Sequence, residues 1–333
     1  MMEFTQIPNL MPKVSRIGLG TWAMGGSLWG HSDEEDSIKT IHRALDLGIN
    51  IIDTAPGYGF GQSEVIIGKA IKQYGKRDTI IIADKFGLNL ESQTNVFRDS
   101  RRTSILAEIE TSLRRLQTDY IDLYQVHWPD LHTPQKDTAQ VLLDLLKQGK
   151  IRAIGVSNYA LEEIEEFSQV APIHAIQLPF NIFEREMEIN ILPFCRKNNI
   201  ASLGYSSLCR GMLTGTLKED DEFEELRKNF DPKFKKPHFP QYLVCAGRLQ
   251  QWAADKYRRS LVSVAIRWSL DKGINVALWG ARRPAELDPI EEILGWHLTN
   301  EDFLEIDQII HETITDPIGP QFMSPPSKKH ETS

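Results

Sequence analysis

Four ionisable side chains stand where short apolar runs end. Asn50-Ile51-Ile52-Asp53 stops at an acid, and Thr79-Ile80-Ile81-Ile82-Ala83-Asp84-Lys85 stops at an ammonium. Ile121-Asp122-Leu123-Tyr124-Gln125-Val126-His127 stops at an imidazole, while Tyr58 follows Asp53 in the turn Gly57-Tyr58-Gly59. Runs of this composition predict β-strands. Where such strands lie parallel and side by side, their C-terminal ends share one rim, so an acid, a phenol, an ammonium and an imidazole face one another across a small mouth.

That set suits reduction of a carbonyl. Hydride arriving at the carbon leaves negative charge on oxygen, and a proton donor must meet it as the charge develops. Tyrosine is a poor acid at its ordinary pKa near 10. A buried lysine beside the phenol favours phenolate and so lowers that pKa, and an aspartate beside the lysine keeps it charged and fixed. His127 then orients the carbonyl or shares the proton. Taken singly, each residue has a plainer role: Asp53 as a turn or cap residue, Tyr58 as a loop aromatic, and His127, ahead of Trp128-Pro129-Asp130, as partner to a backbone carbonyl. Four compatible types at strand ends favour the chemical reading. Asp84, next to Lys85, is expected on the opposite strand face.

The elements that must position these groups alternate along the chain. Apolar runs at 16–19, 50–53, 79–85, 121–127, 153–157, 174–178, 201–205 and 275–279 predict eight strands. Amphipathic stretches at 34–47, 101–116, 137–147 and 161–169 predict helices between them. Ser32-Asp33 ahead of Glu34-Glu35 reads as a helix cap, and Gly48 and Gly149 fall just past last turns. Eight strand-helix units predict an α/β fold of the (β/α)₈ TIM-barrel class in one domain, with a core from about 14 to 313 and a tail over 314–333. The stretch from Thr216 to about Tyr242, with Pro232, Pro237 and Pro240, breaks the rhythm after the seventh strand and reads as a lid or surface excursion. Pro317, Pro320, Pro325 and Pro326 exclude regular helix in the tail, whose Phe322 and Met323 are expected to dock near the rim, with 328–333 frayed.

A chain of 333 residues with 41% hydrophobic content has material for a large core. Its formal net charge of -8 disfavours nucleic acid or an anionic membrane as partner. The cysteines, Cys195, Cys209 and Cys245, are too scattered for a disulfide framework or a metal pair, so a reducing cytoplasm and no metal are expected. The first residues carry no basic stretch leading into an apolar run, and no segment approaches a membrane span in length. Gly18-Leu19-Gly20-Thr21-Trp22-Ala23 matches a dinucleotide fingerprint, yet loop residues follow it where a helix is required. It reads as a glycine-rich turn at the mouth, with Trp22 and Trp29 lining a pocket.

With these residues assembled, the chain resembles the aldo-keto reductases from about Arg16 to Thr313. The resemblance rests on Gly18-Leu19-Gly20-Thr21-Trp22, Asp53-Thr54-Ala55-Pro56-Gly57-Tyr58-Gly59, the stretch from Leu113 to Leu123, Gly155-Val156-Ser157-Asn158 and Gln177-Leu178-Pro179-Phe180-Asn181. The stretches Tyr205 to Gly211, Ala277 to Arg282 and Asp316 to Pro320 make it most similar to the bacterial general-stress-protein type of NADPH-dependent reductase. The resemblance implies Tyr58 as proton donor, Lys85 and Asp53 as its tuning pair, and His127 as the residue that positions the carbonyl. It implies a cofactor with its carboxamide held by Ser157, Asn158 and Gln177, its ring stacked on Tyr205, and Gly20, Thr21 and Asp53 alongside. The backbone of Ser206, Ser207, Leu208, Cys209 and Arg210 would meet the pyrophosphate, and Gly280, Ala281, Arg282 and Glu286 the adenosine end. Trp22, Trp29, Tyr58, His127 and Trp128 would line a broad pocket for a small carbonyl substrate.

Departures from the family pattern bear on the cofactor. Arg282 suits the 2′-phosphate of NADPH. Glu286 stands where relatives usually have Gln, Pro289 and Ile290 where they often have Glu and Asn, and Thr216 in place of a frequent lysine; Arg227 is a possible substitute for that cation. NADPH is the expected cofactor, with NADH left open. Phe180 replaces a frequent Tyr with little expected effect. Besides a reductase using the 4-pro-R hydride, a cofactor-binding regulatory subunit and a Schiff-base lyase built on Lys85 are the competing functions. Retention of all four rim residues disfavours the first, and Asp53 beside Lys85 the second.

Overall fold

The eight apolar runs become eight parallel strands that close on themselves. In the computed structural model, which describes residues 1–26, 29–30, 32–92, 95–223 and 226–327, they are β1 (Ile17–Gly20), β2 (Ile51–Asp53), β3 (Ile81–Phe86), β4 (Ile121–Val126), β5 (Ile151–Ser157), β6 (Ala175–Pro179), β7 (Ala201–Tyr205) and β8 (Val276–Gly280). Each pairs with the next in the chain, and β8 pairs with β1. Helices pack outside: α1 (Glu34–Asp46), α2 (Gln62–Tyr74), α3 (Arg102–Leu116), α4 (Gln135–Lys147), α5 (Leu161–Ser168), α6 (Ile191–Asn198), α7 (His238–Tyr257), α8 (Leu261–Asp271) and α9 (Asn300–Thr313). This is the (β/α)₈ barrel.

Side-chain size decides what fills it. Inward positions carry Ile51, Ile81, Leu123, Leu203, Val276 and Leu278 against the small Ala83, Ala153, Ala175 and Ala201, which leaves room for the larger neighbours to meet on the axis. Gly18 leaves room for these side chains, because a Cβ on it would lie 2.7 Å from a Leu278 methyl and displace it. A hairpin absent from the sequence reading, Phe4–Thr5 against Val14–Ser15, brings Ile7, Leu10 and Val14 into the same apolar cluster. Two-residue strands carry too little pattern to be read.

The helix punctuation holds. Asp33 caps α1 by accepting from Asp36 N, and Gly48 and Gly149 adopt φ of 88° and 74° beyond α1 and α4. The excursion after β7 ends sooner than its prolines suggest, since α7 begins at His238. Pro237 precedes it and Pro240 falls in its first turn, where backbone N–H groups have no helical acceptor to lose. A second unread hairpin, Leu88–Ser92 with Asn95–Arg98, stands at the mouth after β3.

The tail contains a single 3₁₀ turn, Gln321–Met323, and is pinned across the mouth. Arg98 donates from Nε to Pro325 O and from Nη1 to Pro129 O, both at 2.9 Å, and Ser327 Oγ donates to Asp130 at 3.2 Å. The 328–333 segment lies outside the described residues. Among the described residues no helix is long and apolar enough to cross a membrane, and no cluster of His, Cys, Asp and Glu is suited to a metal.

Candidate active site

Register brings the rim residues together. Gly20 pairs with Asp53 and Asp53 with Ala83, so Lys85, two residues further along β3, projects to the same side as Ala83 and one layer nearer the mouth. Its buried ammonium donates to Asp53 Oδ1 at 2.6 Å, Thr54 O at 3.0 Å and Tyr58 Oη at 3.3 Å. The other oxygen of Asp53 accepts from Gln177 Nε2 at 2.7 Å.

Tyr58 is set by a backbone contact between two loops. A Cβ on Gly59, whose φ is 64°, would lie 2.0 Å from Gly25 O, and one on Gly25 would lie 2.4 Å from the carbonyl carbon of Tyr58. Only glycine at both positions lets the loop after β1 press against the turn that carries the phenol. Trp22 then stacks on Tyr58 with ring centroids 6.0 Å apart, Trp29 meets Trp22 edge-on at 5.5 Å, and the His127 ring stands edge-on to Tyr58 at 5.9 Å.

Burial, and after it the charges on Asp53 and Asp84, pushes the Tyr58 phenol well above its usual pKa, so it rests protonated with the Lys85 ammonium 3.3 Å from its oxygen. Desolvation and like-signed Lys85 hold His127 well below the usual imidazole range, hence neutral. Asp84 turns to the opposite face as expected. Burial and nearby Glu64 push it far above the carboxylate range.

From Tyr58 a groove of about 580 Å³ runs past Tyr205, Ser206, Ser207 and Leu208 to Arg282, Arg283 and Glu286. Its wall at β7 is an unusual loop in which Ser206, Cys209 and Arg210 have φ of 55°, 46° and 54° and Gly211 has 100°. Asn158, also left-handed at φ 61°, donates to His127 O at 2.9 Å and accepts from Tyr205 Oη at 2.8 Å, tying β5, β4 and β7 together at the rim. Arg282 Nη1 donates to Trp29 O at 2.9 Å, bridging the two lips of the groove. Glu286 accepts from Arg282 N at 2.9 Å and from Arg283 Nε at 3.1 Å.

Comparison with known proteins agrees with this geometry. Residues 16–311 match the Aldo/keto reductase family. The chain is 53% identical over 331 residues to the aldo-keto reductase YhdN of Bacillus subtilis (strain 168), covering 98% of this chain and 99% of the relative. It is 37% identical to the NADH-specific methylglyoxal reductase of Escherichia coli (strain K12), covering 87% of this chain and 92% of that one. The solved glycerol dehydrogenase AKR11B4 from Gluconobacter oxydans superposes with a TM-score of 0.86 at 45% identity, covering 96% of this chain and 99% of that chain. The chain belongs to the aldo/keto reductase family. It is accordingly an oxidoreductase that interconverts carbonyls and alcohols with a nicotinamide cofactor.

In this aldo/keto reductase most residues anticipated from sequence do converge. Gly20, Thr21, Trp22, Trp29, Asp53 and Tyr58 line one end of the groove, Tyr205 to Leu208 its middle, and Gly280 to Arg282 with Glu286 its far end. Lys85, His127, Asn158 and Gln177 reach the same centre through hydrogen bonds and ring contacts, and Ser157 Oγ accepts from Asn158 Nδ2 at 3.1 Å. Arg210 lines the groove as well, with its guanidinium turned inward onto carboxylates. Cys209, expected to offer only its backbone, keeps its thiol buried. Trp128, expected in the substrate pocket, has its ring against the Arg98 guanidinium at 5.3 Å.

Arg227, which the sequence leaves between a cofactor contact and a solvated surface charge, is half-buried and lines the groove, with its guanidinium 6.0 Å from the Trp29 ring and 5.1 Å from Phe223. Arg283, suited like Arg282 to a 2′-phosphate, also lines the far end. Only the aromatic neighbours of Arg227 distinguish it from a surface charge. Phe180 is fully buried and stacks on Trp268 at 5.2 Å, which accounts for its lacking a hydroxyl.

Proposed function

We propose that this enzyme reduces small aldehydes and ketones to alcohols with Tyr58 as the proton donor. The observation that carries this reading is the Lys85 ammonium held between Asp53 at 2.6 Å and the Tyr58 hydroxyl at 3.3 Å, at the end of a groove of about 580 Å³. The groove fits a nicotinamide cofactor by its volume, by the basic side chains of Arg227, Arg282 and Arg283, and by a loop wall that offers backbone to a pyrophosphate. Asn158, Gln177 and Ser157 would hold the carboxamide, Tyr205 would face the ring, and Ser206 to Leu208 would meet the phosphates.

When bound, the reduced cofactor supplies the hydride that adds to the carbonyl carbon. The two electrons of the carbonyl π bond move to oxygen, and Tyr58 gives that oxygen its phenolic proton. Lys85 keeps its own protons and donates a hydrogen bond to the phenolate oxygen that remains. Asp53 holds the ammonium in place. His127, neutral, donates N–H to the carbonyl oxygen and fixes its direction. Trp22 and Trp29 supply apolar walls, which fits assorted small carbonyls better than a multiply charged metabolite.

For the cofactor, the reading is NADPH with NADH accepted. Two guanidinium groups against one carboxylate at the far end leave a net positive charge for a 2′-phosphate, and Glu286 is partly neutralised by Arg283. A reducing cytoplasmic setting accords with three buried, unpaired cysteines. The test is cofactor consumption across a panel of small aldehydes and ketones, with NADPH and NADH run in parallel. Absence of turnover on every carbonyl, with cofactor bound, overturns the reading in favour of a regulatory subunit.

A further inference from the structure

Behind the groove wall lies a cluster of four charges that the reaction does not use. Glu184, Arg210, Asp231 and Lys233 are all buried, none exposed beyond 5%. Two cations meet two anions. Arg210 donates from Nε to Asp231 Oδ2 at 2.6 Å, from Nη2 to Glu184 Oε1, and from Nη1 to Ser206 Oγ at 3.2 Å. Lys233 Nζ donates to Glu184 Oε1 at 2.8 Å, and Asn181 Nδ2 joins Glu184 Oε2 at 2.7 Å to Ser206 O at 3.0 Å.

The cluster joins four segments remote in sequence: the turn after β6, the groove loop after β7, the end of the excursion before α7, and the tail. The tail seats on it through Phe322, whose ring lies 5.2 Å from both the Arg210 guanidinium and the Lys233 ammonium. Met323 Sδ is 4.0 Å from Arg210 Nη1, and Gly319 O is 3.5 Å from Lys233 Nζ.

What the cluster grips is the loop with three non-glycine residues in the left-handed region. L residues hold that conformation only where surrounding contacts impose it. Ser206 and Arg210 are both strained and both bonded into the cluster. A buried ion pair is weak evidence of stability, because desolvation offsets its attraction, and its better-attested use is to specify one arrangement.

We propose that Glu184 and Lys233 are positioning residues for the cofactor, holding the Ser206–Gly211 wall in its binding shape through Arg210, with Phe322 of the tail sealing the same cluster. The inference rests on the reading that the dinucleotide lies along this wall. Its consequence is that the tail, none of whose described residues lines the groove, governs how long the cofactor stays.

The experiment compares the full-length enzyme with Phe322→Ala, Phe322→Tyr, Lys233→Met and, as a control on the groove itself, Tyr205→Ala. NADPH affinity is measured by fluorescence titration, NADPH release by stopped flow, and the thermal midpoint without cofactor by scanning. Phe322→Ala and Lys233→Met are expected to weaken NADPH about tenfold, as for loss of one charge-assisted contact, through faster release. The loss appears in Kd and in KM for NADPH rather than in kcat, Phe322→Tyr restores wild-type release, and combining Phe322→Ala with Lys233→Met in one chain gives a loss less than additive. Unchanged release in Phe322→Ala and Lys233→Met, while Tyr205→Ala binds weakly, overturns the inference alone. A lowered thermal midpoint with unchanged NADPH affinity overturns it as well. Wild-type affinity in Tyr205→Ala overturns the groove reading beneath it.

Discussion

The ammonium of Lys85 donates to the phenol oxygen of Tyr58 across 3.3 Å, so the phenol's own proton is directed away from the lysine. Burial keeps that proton on the resting enzyme. The site is therefore loaded as an acid before substrate arrives, and Lys85 acts on the phenolate as it forms rather than on the phenol beforehand.

Replacing Tyr58 by Phe preserves the ring that Trp22 stacks on and removes the proton. Reduction is expected to slow by about 10²–10⁴-fold in kcat, the usual contribution of a positioned general acid. Cofactor affinity, followed by fluorescence, is expected to stay near wild type. Turnover within tenfold of wild type assigns the proton to another donor.

The pH profile follows from the two displaced pKa values. Tyr58 is raised, so its reactive protonated form persists through neutrality and is lost only as pH climbs above the ordinary phenol range near 10. His127 is lowered, so its neutral form persists below pH 6.5. The value of kcat/KM for reduction is expected to be flat from about pH 6 to 9. An increase as pH falls through 6.5 means that imidazolium, not imidazole, meets the carbonyl.

Lys85 gives hydrogen bonds to Asp53, Thr54 and Tyr58, three acceptors for three protons. It has no lone pair to offer a carbonyl. Borohydride added with an aldehyde is expected to leave the protein mass unchanged, and an adduct mapped to Lys85 revives the lyase reading.

Glu286 is the testable element of cofactor choice. Glu286→Gln removes a negative charge bonded to Arg283 and to the Arg282 backbone. The preference for NADPH over NADH, measured as a ratio of kcat/KM values, is expected to rise about twofold to fivefold, the effect of one partly exposed charge. A ratio that falls places the 2′-phosphate elsewhere.

Glu108 offers a stability test away from the chemistry. It is half-buried on α3, accepts from Gly87 N at 3.2 Å and from Ser104 Oγ at 3.2 Å, and desolvation of the carboxylate pushes its pKa up to about 8. A raised carboxyl binds its proton in the folded state after the unfolded chain has lost it. Stability is thus full below the ordinary value of 4.5 and is lost as pH rises to about 8. Glu108→Gln should gain on wild type across that window, with no further gain above it. Thermal midpoints of both proteins at pH 5, 7 and 9 test this.

Much of the barrel was legible because each of its strands is a short apolar run with polar punctuation. All eight runs became strands of the barrel, and their stopping points became the rim. The hairpin of Leu88–Ser92 and Asn95–Arg98 escaped notice, since a mouth hairpin buries little and its alternation is that of a loop. The start of α7 was hidden by prolines that the first turn of a helix tolerates.

By itself the sequence determined the strand order and the assignment of Asp53, Tyr58, Lys85 and His127 to one rim, because chain order and two-residue alternation are local properties. Only the tertiary structure decided that Tyr58 rests protonated and His127 neutral, since desolvation depends on what surrounds a group from every side. Only it turned the Arg210 guanidinium onto Glu184 and Asp231 behind the groove wall. Those partners lie 26 and 21 positions away in the chain, and nothing in the local pattern of either segment announces the other.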